Sequence, residues 1–161
     1  MVAKILYILL SYFCLSSLAF TITTTSKEDE SFLDPPHYHS NEELADHFWR
    51  LQKNYSHLLD VRTVGKSLDG NDLIVARINK DVKRPRSILV PMFKYVGNMH
   101  GDETIGRQLL IYLVDYLVKN YGVMPEVTKL VDTTDIYLMP SMNPDGFAKS
   151  HEGSCESIQN Y

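Results

Sequence analysis

The stretch Val96-Gly97-Asn98-Met99-His100-Gly101-Asp102-Glu103-Thr104 decides how the rest of the chain is read. Ahead of it, residues 87–96 have the composition of a strand and are apolar enough to be expected buried. Beyond it, Ile105, Leu109, Tyr112, Leu113, Tyr116 and Leu117 recur at helical spacing and mark one face of a long helix. Gly97 and Gly101 flank the histidine and let the backbone bend between the two elements. His100 and Glu103 therefore leave a strand-to-helix turn three residues apart, which is where open α/β sheets place their ligands. Imidazole and carboxylate are both zinc-ligand types, and catalytic zinc typically takes three protein ligands and keeps one position open. Spacing alone leaves a second reading standing: Glu103 is equally an acidic residue well placed at the positive end of the following helix.

Working outward, the long helix should stop near Asn120-Tyr121-Gly122, and Pro125 can open a shorter helix to about Asp132. Residues 135–139 read as a strand closed by Pro140, followed by a strong turn at Asn143-Pro144-Asp145-Gly146. Asp145 has the look of a catalytic carboxylate, but the reading favoured is that it ties its own turn together. On the N-terminal side, Ser40 and Glu43 form a capping box, and Leu44, Phe48, Leu51 and Tyr55 follow at helical spacing. Strands over 61–67 and 73–79 are joined through Asp69-Gly70, a hairpin signal. Lys83-Arg84-Pro85-Arg86 reads as a solvated basic turn. Alternating strands and helices make the fold class α/β, a mixed β-sheet flanked by helices, with an antiparallel hairpin near its start.

Composition sets the outer bounds. A chain of 161 residues, 44% hydrophobic and 22% charged, can enclose one domain with a core. A net charge of −4 with scattered signs lacks the basic face that nucleic-acid binding requires. Residues 1–19 resemble a secretory signal: Lys4, an apolar run over 5–18, and Ser17-Leu18-Ala19 as a cleavage pattern. That run is shorter than the roughly 20 residues of a membrane span. Residues 20–36 are polar and turn-rich, a flexible lead-in, and 37–161 form the domain. Removal of Cys14 with the signal would leave Cys155 alone, as a free thiol, in an intermolecular bridge, or with its partner outside the 161 residues. Asn54-Tyr55-Ser56 is an N-glycosylation sequon, meaningful if Asn54 lies on the surface. His37-x-His39 sits beside Pro35-Pro36 and reads as solvated loop, with His47, His57 and His151 as ordinary histidines. No nucleophile elbow, P-loop or dinucleotide fingerprint is present.

Two blocks carry more than spacing does. Residues 93–104, ending in His100-Gly101-Asp102-Glu103-Thr104, and residues 138–147, containing Asn143-Pro144-Asp145-Gly146-Phe147, strongly resemble the zinc metallocarboxypeptidases of the regulatory N/E subfamily. The resemblance spans about residues 37–153. It implies a mixed sheet between helices, Zn²⁺ as cofactor, and His100 and Glu103 as metal ligands. It also implies peptide or protein C-termini as substrate, with arginine or lysine removed, in the secretory pathway. By the same resemblance the third ligand, the general base and the carboxylate-gripping arginines map beyond Tyr161, so no catalytic residue lies within this chain. The fragment alone is expected to be inactive and poorly folded, and a membrane anchor is expected only in a longer product. A secreted, non-catalytic binding module on the same scaffold is the alternative.

Overall fold

The computed structural model describes residues 31–33 and 37–151. The expected signal segment, most of the lead-in and Cys155 lie outside the described residues. Within the lead-in, Ser31–Leu33 form a turn of 3₁₀ helix.

Helix α1, Asn41–Asn54, begins at the predicted capping box. Ser40 Oγ accepts from Glu43 N–H at 3.2 Å, and Glu43 Oε2 accepts from Ser40 N–H at 2.8 Å. Two of the orphan donors at the helix start are thus satisfied reciprocally. Leu44, Phe48 and Leu51 are buried along one side, while Asn54 is exposed at the end, so the sequon meets its surface requirement. Strands β1, Leu59–Lys66, and β2, Asp72–Ile78, pair antiparallel with a bulge between Thr63 and Gly65. Their turn uses Gly70 at φ 85°, a backbone state that side chains disfavour.

Strand β3, Met92–Val96, pairs parallel with β4, Asp135–Met139, which also pairs antiparallel with β2. The order β1-β2-β4-β3 puts β4 inside the sheet and β3 at its edge. Alternation along the strands sets Leu59, Val61, Ile74, Ala76, Ile78, Ile136 and Leu138 on one face, where α1 and helix α2, Thr104–Asn120, pack. Phe48, Ile111, Val114 and Val118 complete that core. Helix α3, Pro125–Thr133, buries Val127 and Val131 beside it, and a six-residue helix α4, Pro144–Lys149, follows β4.

Two expectations are corrected. Residues 87–96 are not one buried strand: Val90 N–H closes a turn on Ser87 O, Ile88 and Leu89 are 90% and 92% exposed, and every residue of β3 is exposed. Its apolar composition suits a strand covered on both faces; among the described residues only β4 touches it along the sheet. The buried face of α2 is also rotated. Ile105 and Leu109 are exposed, while Leu117 is buried and Leu113 and Tyr116 pack against the core as expected, with Ile111, Val114 and Val118 beside them. A helix rich in apolar residues on nearly every side offers two plausible faces, and packing on the sheet selects one.

The sheet's other face is held by charge. Arg77 on β2 donates from Nε to Asp135 Oδ1 at 2.8 Å and from Nη2 to Oδ2 at 3.1 Å. Tyr137 Oη also donates to Asp135, and the hydrogen bonding of the guanidinium to Asp135 is the main reason Arg77 is held above its ordinary pKa. A bidentate pair with both partners buried is costly to break from one side. Asp135→Ala is therefore expected to destabilise the protein by about 3–5 kcal/mol in urea denaturation. A milder loss on joint replacement of Arg77 and Asp135 by apolar residues would accord with this account; an Asp135→Ala change costing under about 1 kcal/mol would contradict it.

Candidate metal centre

The loop that carries His100 and Glu103 leaves the C-terminal end of β3 and lies against the loop leaving the neighbouring, parallel β4. Gly97 N–H donates to Met139 O at 2.9 Å, Met142 N–H to Gly97 O at 3.0 Å, and Asn143 N–H to Asn98 O at 3.0 Å. The two blocks singled out in the sequence are therefore stitched together by backbone, strand end to strand end.

Asn98 holds the turn. It is 5% exposed and sits at φ 54°, a left-handed conformation that asparagine tolerates better than most residues. Its Nδ2 lies 2.8, 3.0 and 3.2 Å from the carbonyl oxygens of His100, Gly101 and Glu103. Its Oδ1 accepts from Ser141 Oγ at 2.9 Å. One amide thus organises the loop on both sides of the histidine. The bend belongs to Asn98, not to the glycines as the sequence suggested: Gly97 and Gly101 do not adopt positive φ. They are needed for space. A Cβ on Gly101 would lie 2.0 Å from Gly146 C and 2.4 Å from Phe147 N, so two backbones cross here in contact.

The second loop does not form an isolated turn either. Asn143 caps α4, its Oδ1 accepting from Gly146 N–H at 2.9 Å. Asp145, expected to tie its own turn, instead reaches the β1–β2 hairpin. It accepts from Ser67 Oγ at 2.5 Å, Asn71 Nδ2 at 2.8 Å and Asp69 N–H at 3.0 Å. Burial alone would raise its pKa, but these hydrogen bonds together hold the carboxyl below its ordinary 3.8. Lys149 pairs with Asp69 at 2.8 Å across the same junction. The hairpin tip thus fixes α4, and α4 backs Gly101.

Against this tied backbone, the side chains of His100 and Glu103 are exposed, and neither makes a hydrogen bond or ion pair among the described residues. Glu103 occupies the N-cap position of α2, yet its carboxylate makes no cap hydrogen bond. Its place at the helix start still suits the positive end of the dipole, and its lone pairs stay available. An imidazole and a carboxylate with unused lone pairs on a rigid loop are a donor set that fits zinc. Among the described residues no third histidine, cysteine or carboxylate joins them in a metal-holding group.

Residues 44–160 match the family model described as zinc carboxypeptidase. The chain belongs to the zinc carboxypeptidase family. It is 51% identical over 137 residues to carboxypeptidase D of Drosophila melanogaster, covering 85% of this chain and 10% of that protein. It is 43% identical to carboxypeptidase M of Mus musculus, covering 77% of this chain and 29% of that one. The chain thus spans less than a third of either relative. Among solved structures, thrombin activatable fibrinolysis inhibitor superposes with a TM-score of 0.64 at 21% identity, over 85% of this chain and 35% of that one. Carboxypeptidase A from Helicoverpa armigera gives a TM-score of 0.61 at 22% identity, over 90% of this chain and 33% of that one. These likenesses show the fold: a mixed sheet flanked by helices, present in part.

Sequence reading missed four residues that build the surroundings. Asn98 follows a glycine at a strand end, a position where asparagine in a left-handed turn is a usable signal. Arg107 is fully buried, stacks 3.8 Å from the Phe147 ring centroid, and donates to His39 O, Ser40 O and Asn41 Oδ1. No local pattern announces a buried arginine. His39, taken as solvated, is 8% exposed, and His47 pairs with Asp115 at 2.5 Å.

Two measurements check this construction. Gly101→Ala must force the crossing backbones apart and is expected to cost about 1–3 kcal/mol or more. Gly106→Ala, in α2 with nothing within 4 Å of its added Cβ, should instead gain about 0.5–1 kcal/mol; equal effects at the two sites would refute the close-approach account. Asp145 is depressed in the folded state, so its contribution is present above the ordinary carboxylate pKa and is lost as pH falls through the folded value. Denaturation midpoints recorded from pH 5 down to pH 2 should show a component of acid sensitivity that Asp145→Asn removes.

Proposed function

We propose that this chain forms the part of a zinc-dependent carboxypeptidase that contributes two metal ligands, His100 and Glu103, and that the activity removes C-terminal residues, arginine or lysine, from peptides and proteins. Support comes from one observation above all. On a loop where Asn98, Gly101 and the 141–146 loop fix the surrounding backbone, these two donors are exposed and make no hydrogen bond or ion pair among the described residues. Zinc, when bound, polarises a carbonyl and lowers the pKa of its water, giving a nucleophile at neutral pH.

What this chain's own residues do is position. Asn98 fixes the carbonyls of His100, Gly101 and Glu103, the Gly101–Gly146 contact sets the height of the loop, and Asp145 anchors its support. Basic specificity rests on resemblance to the N/E subfamily. The secretory-pathway assignment rests on residues 1–19 and is consistent with an exposed Asn54. Among the described residues no helix is long and apolar enough to cross a membrane. The rival reading, a secreted binding module on the carboxypeptidase scaffold, has no use for two uncommitted zinc donors.

Two donors hold zinc weakly, and the described residues offer no general base beside them. Titration calorimetry with Zn²⁺ should show weak binding to the 161-residue chain that His100→Ala and Glu103→Gln each abolish. The same chain should release no arginine from an arginine-ending peptide. Zinc-dependent release would overturn the assignment of inactivity, and zinc uptake unchanged by either substitution would overturn the ligand assignment.

A further inference from the structure

Three of the chain's six histidines converge away from His100. The His37 ring lies 4.2 Å from that of His39, tilted by 30°, and His39 lies 5.4 Å from His47. Tyr112 meets His39 edge-on at 6.4 Å. These rings come from the segment ahead of α1, from α1 itself and from α2, so the stack is what fastens the incoming chain to the long helix. It is independent of the metal reading.

The hydrogen bonds define the protonation state that fits. His39 N–H donates to Gln108 Oε1 at 2.9 Å, and His39 Nδ1 lies 2.9 Å from Gln108 Nε2 and 3.2 Å from Oε1. The shorter contact fits Nε2 donating to an unprotonated Nδ1 and so a neutral ring. A proton on Nδ1 would face the nearer Nε2 donor and have only the longer contact to Oε1, which the His39 N–H already uses. The His39 carbonyl meanwhile accepts from Arg107, whose pKa is lowered to about 10 by burial and which therefore stays charged.

The charges around the stack offer a new cation little compensation. From the segment itself comes His37; from α1, Glu43 and His47; from α2, Arg107, Asp115 and Lys119, with the Tyr112 hydroxyl. Glu43 is engaged in capping Ser40. Asp115 is shared between His47 at 2.5 Å and Lys119 at 3.2 Å. Burial is the main influence on His39 and lowers its pKa below 6.5; His37 and His47 push the same way, and the Gln108 contact and Glu43 oppose them.

We propose that the His37–His39–His47 stack is a pH-operated latch that holds residues 37–40 against α2 at neutral pH and lets them go in acidic surroundings. The sign follows from a depressed histidine: the folded state prefers the neutral ring, so the stabilisation is complete above about pH 6.5 and is lost as pH falls toward the folded value. Release withdraws the His39 and Ser40 carbonyls from Arg107, four residues along α2 from Glu103.

Hydrogen–deuterium exchange on the full chain at pH 7.5 and 5.5, corrected for intrinsic rates, tests the latch. Protection in peptides covering 37–48 and 104–112 should fall several-fold at pH 5.5, while 59–78 holds. His39→Gln, which cannot be protonated, should lose most of that pH dependence, and His57→Gln should retain it. As a second readout on the unmutated chain, the His39 ring should titrate by NMR with a midpoint below 6.5, together with the Gln108 side-chain amide. Equal protection at the two pH values overturns the proposal. So does a loss shared by 59–78, an unchanged pH response in His39→Gln, an ordinary His39 midpoint, or no protection anywhere at pH 7.5.

Discussion

Everything the candidate metal centre needs rests on one buried amide. Asn98 accepts a left-handed backbone, offers Nδ2 to three carbonyls of the following loop and takes a hydroxyl from Ser141 on the next. Buried carbonyls left without donors are expensive, and within this loop the backbone itself serves only the His100 and Asp102 carbonyls. The side chain therefore does for the 98–103 turn what a ladder does for a strand. The consequence is local rigidity next to exposed, uncommitted donors, the combination a preorganised site requires.

A second layer of support is built from residues distant in sequence. The β1–β2 hairpin grips Asp145, α4 carries that grip to Gly146, and Gly146 backs Gly101. Arg107 does the same on the other flank, joining the start of α1 to Phe147. An ion pair across the sheet, Arg77 with Asp135, keeps β2 and β4 in the register on which both flanks depend.

Much of this was legible in the sequence where the signals were local. The capping box at Ser40 and Glu43, the Asp69-Gly70 hairpin and the strand over 135–139 all follow from short-range chemistry, and the structure has each of them. Local signals failed where the outcome is decided by what lies across the fold. The apolar strand before His100 was read as buried, but burial depends on neighbours, and β3 stands at the edge. The α2 face held at Leu113, Tyr116 and Leu117 but not at Ile105 and Leu109, because apolar residues occupy several sides of that helix and only docking chooses among them. Asp145 was read as a turn residue because its three donors lie more than seventy positions away. His39 was read as solvated because the Pro-Pro neighbourhood says loop, while Gln108 and Arg107, which bury it, speak only in three dimensions.

The crossing of Gly101 and Gly146 also has a meaning in time. The loop bearing His100 and Glu103 is emitted from a ribosome well before the backbone it leans on. At roughly 5–20 residues per second, the interval between the two glycines is about 2–9 seconds. For most of that interval β3 has no β4 beside it, and the turn lacks Ser141, Met142 and Asn143 to close it. The half-site is therefore assembled late, as a product of the second block's arrival, and a nascent chain stalled before Gly146 would display the metal-binding motif without the geometry that makes it one.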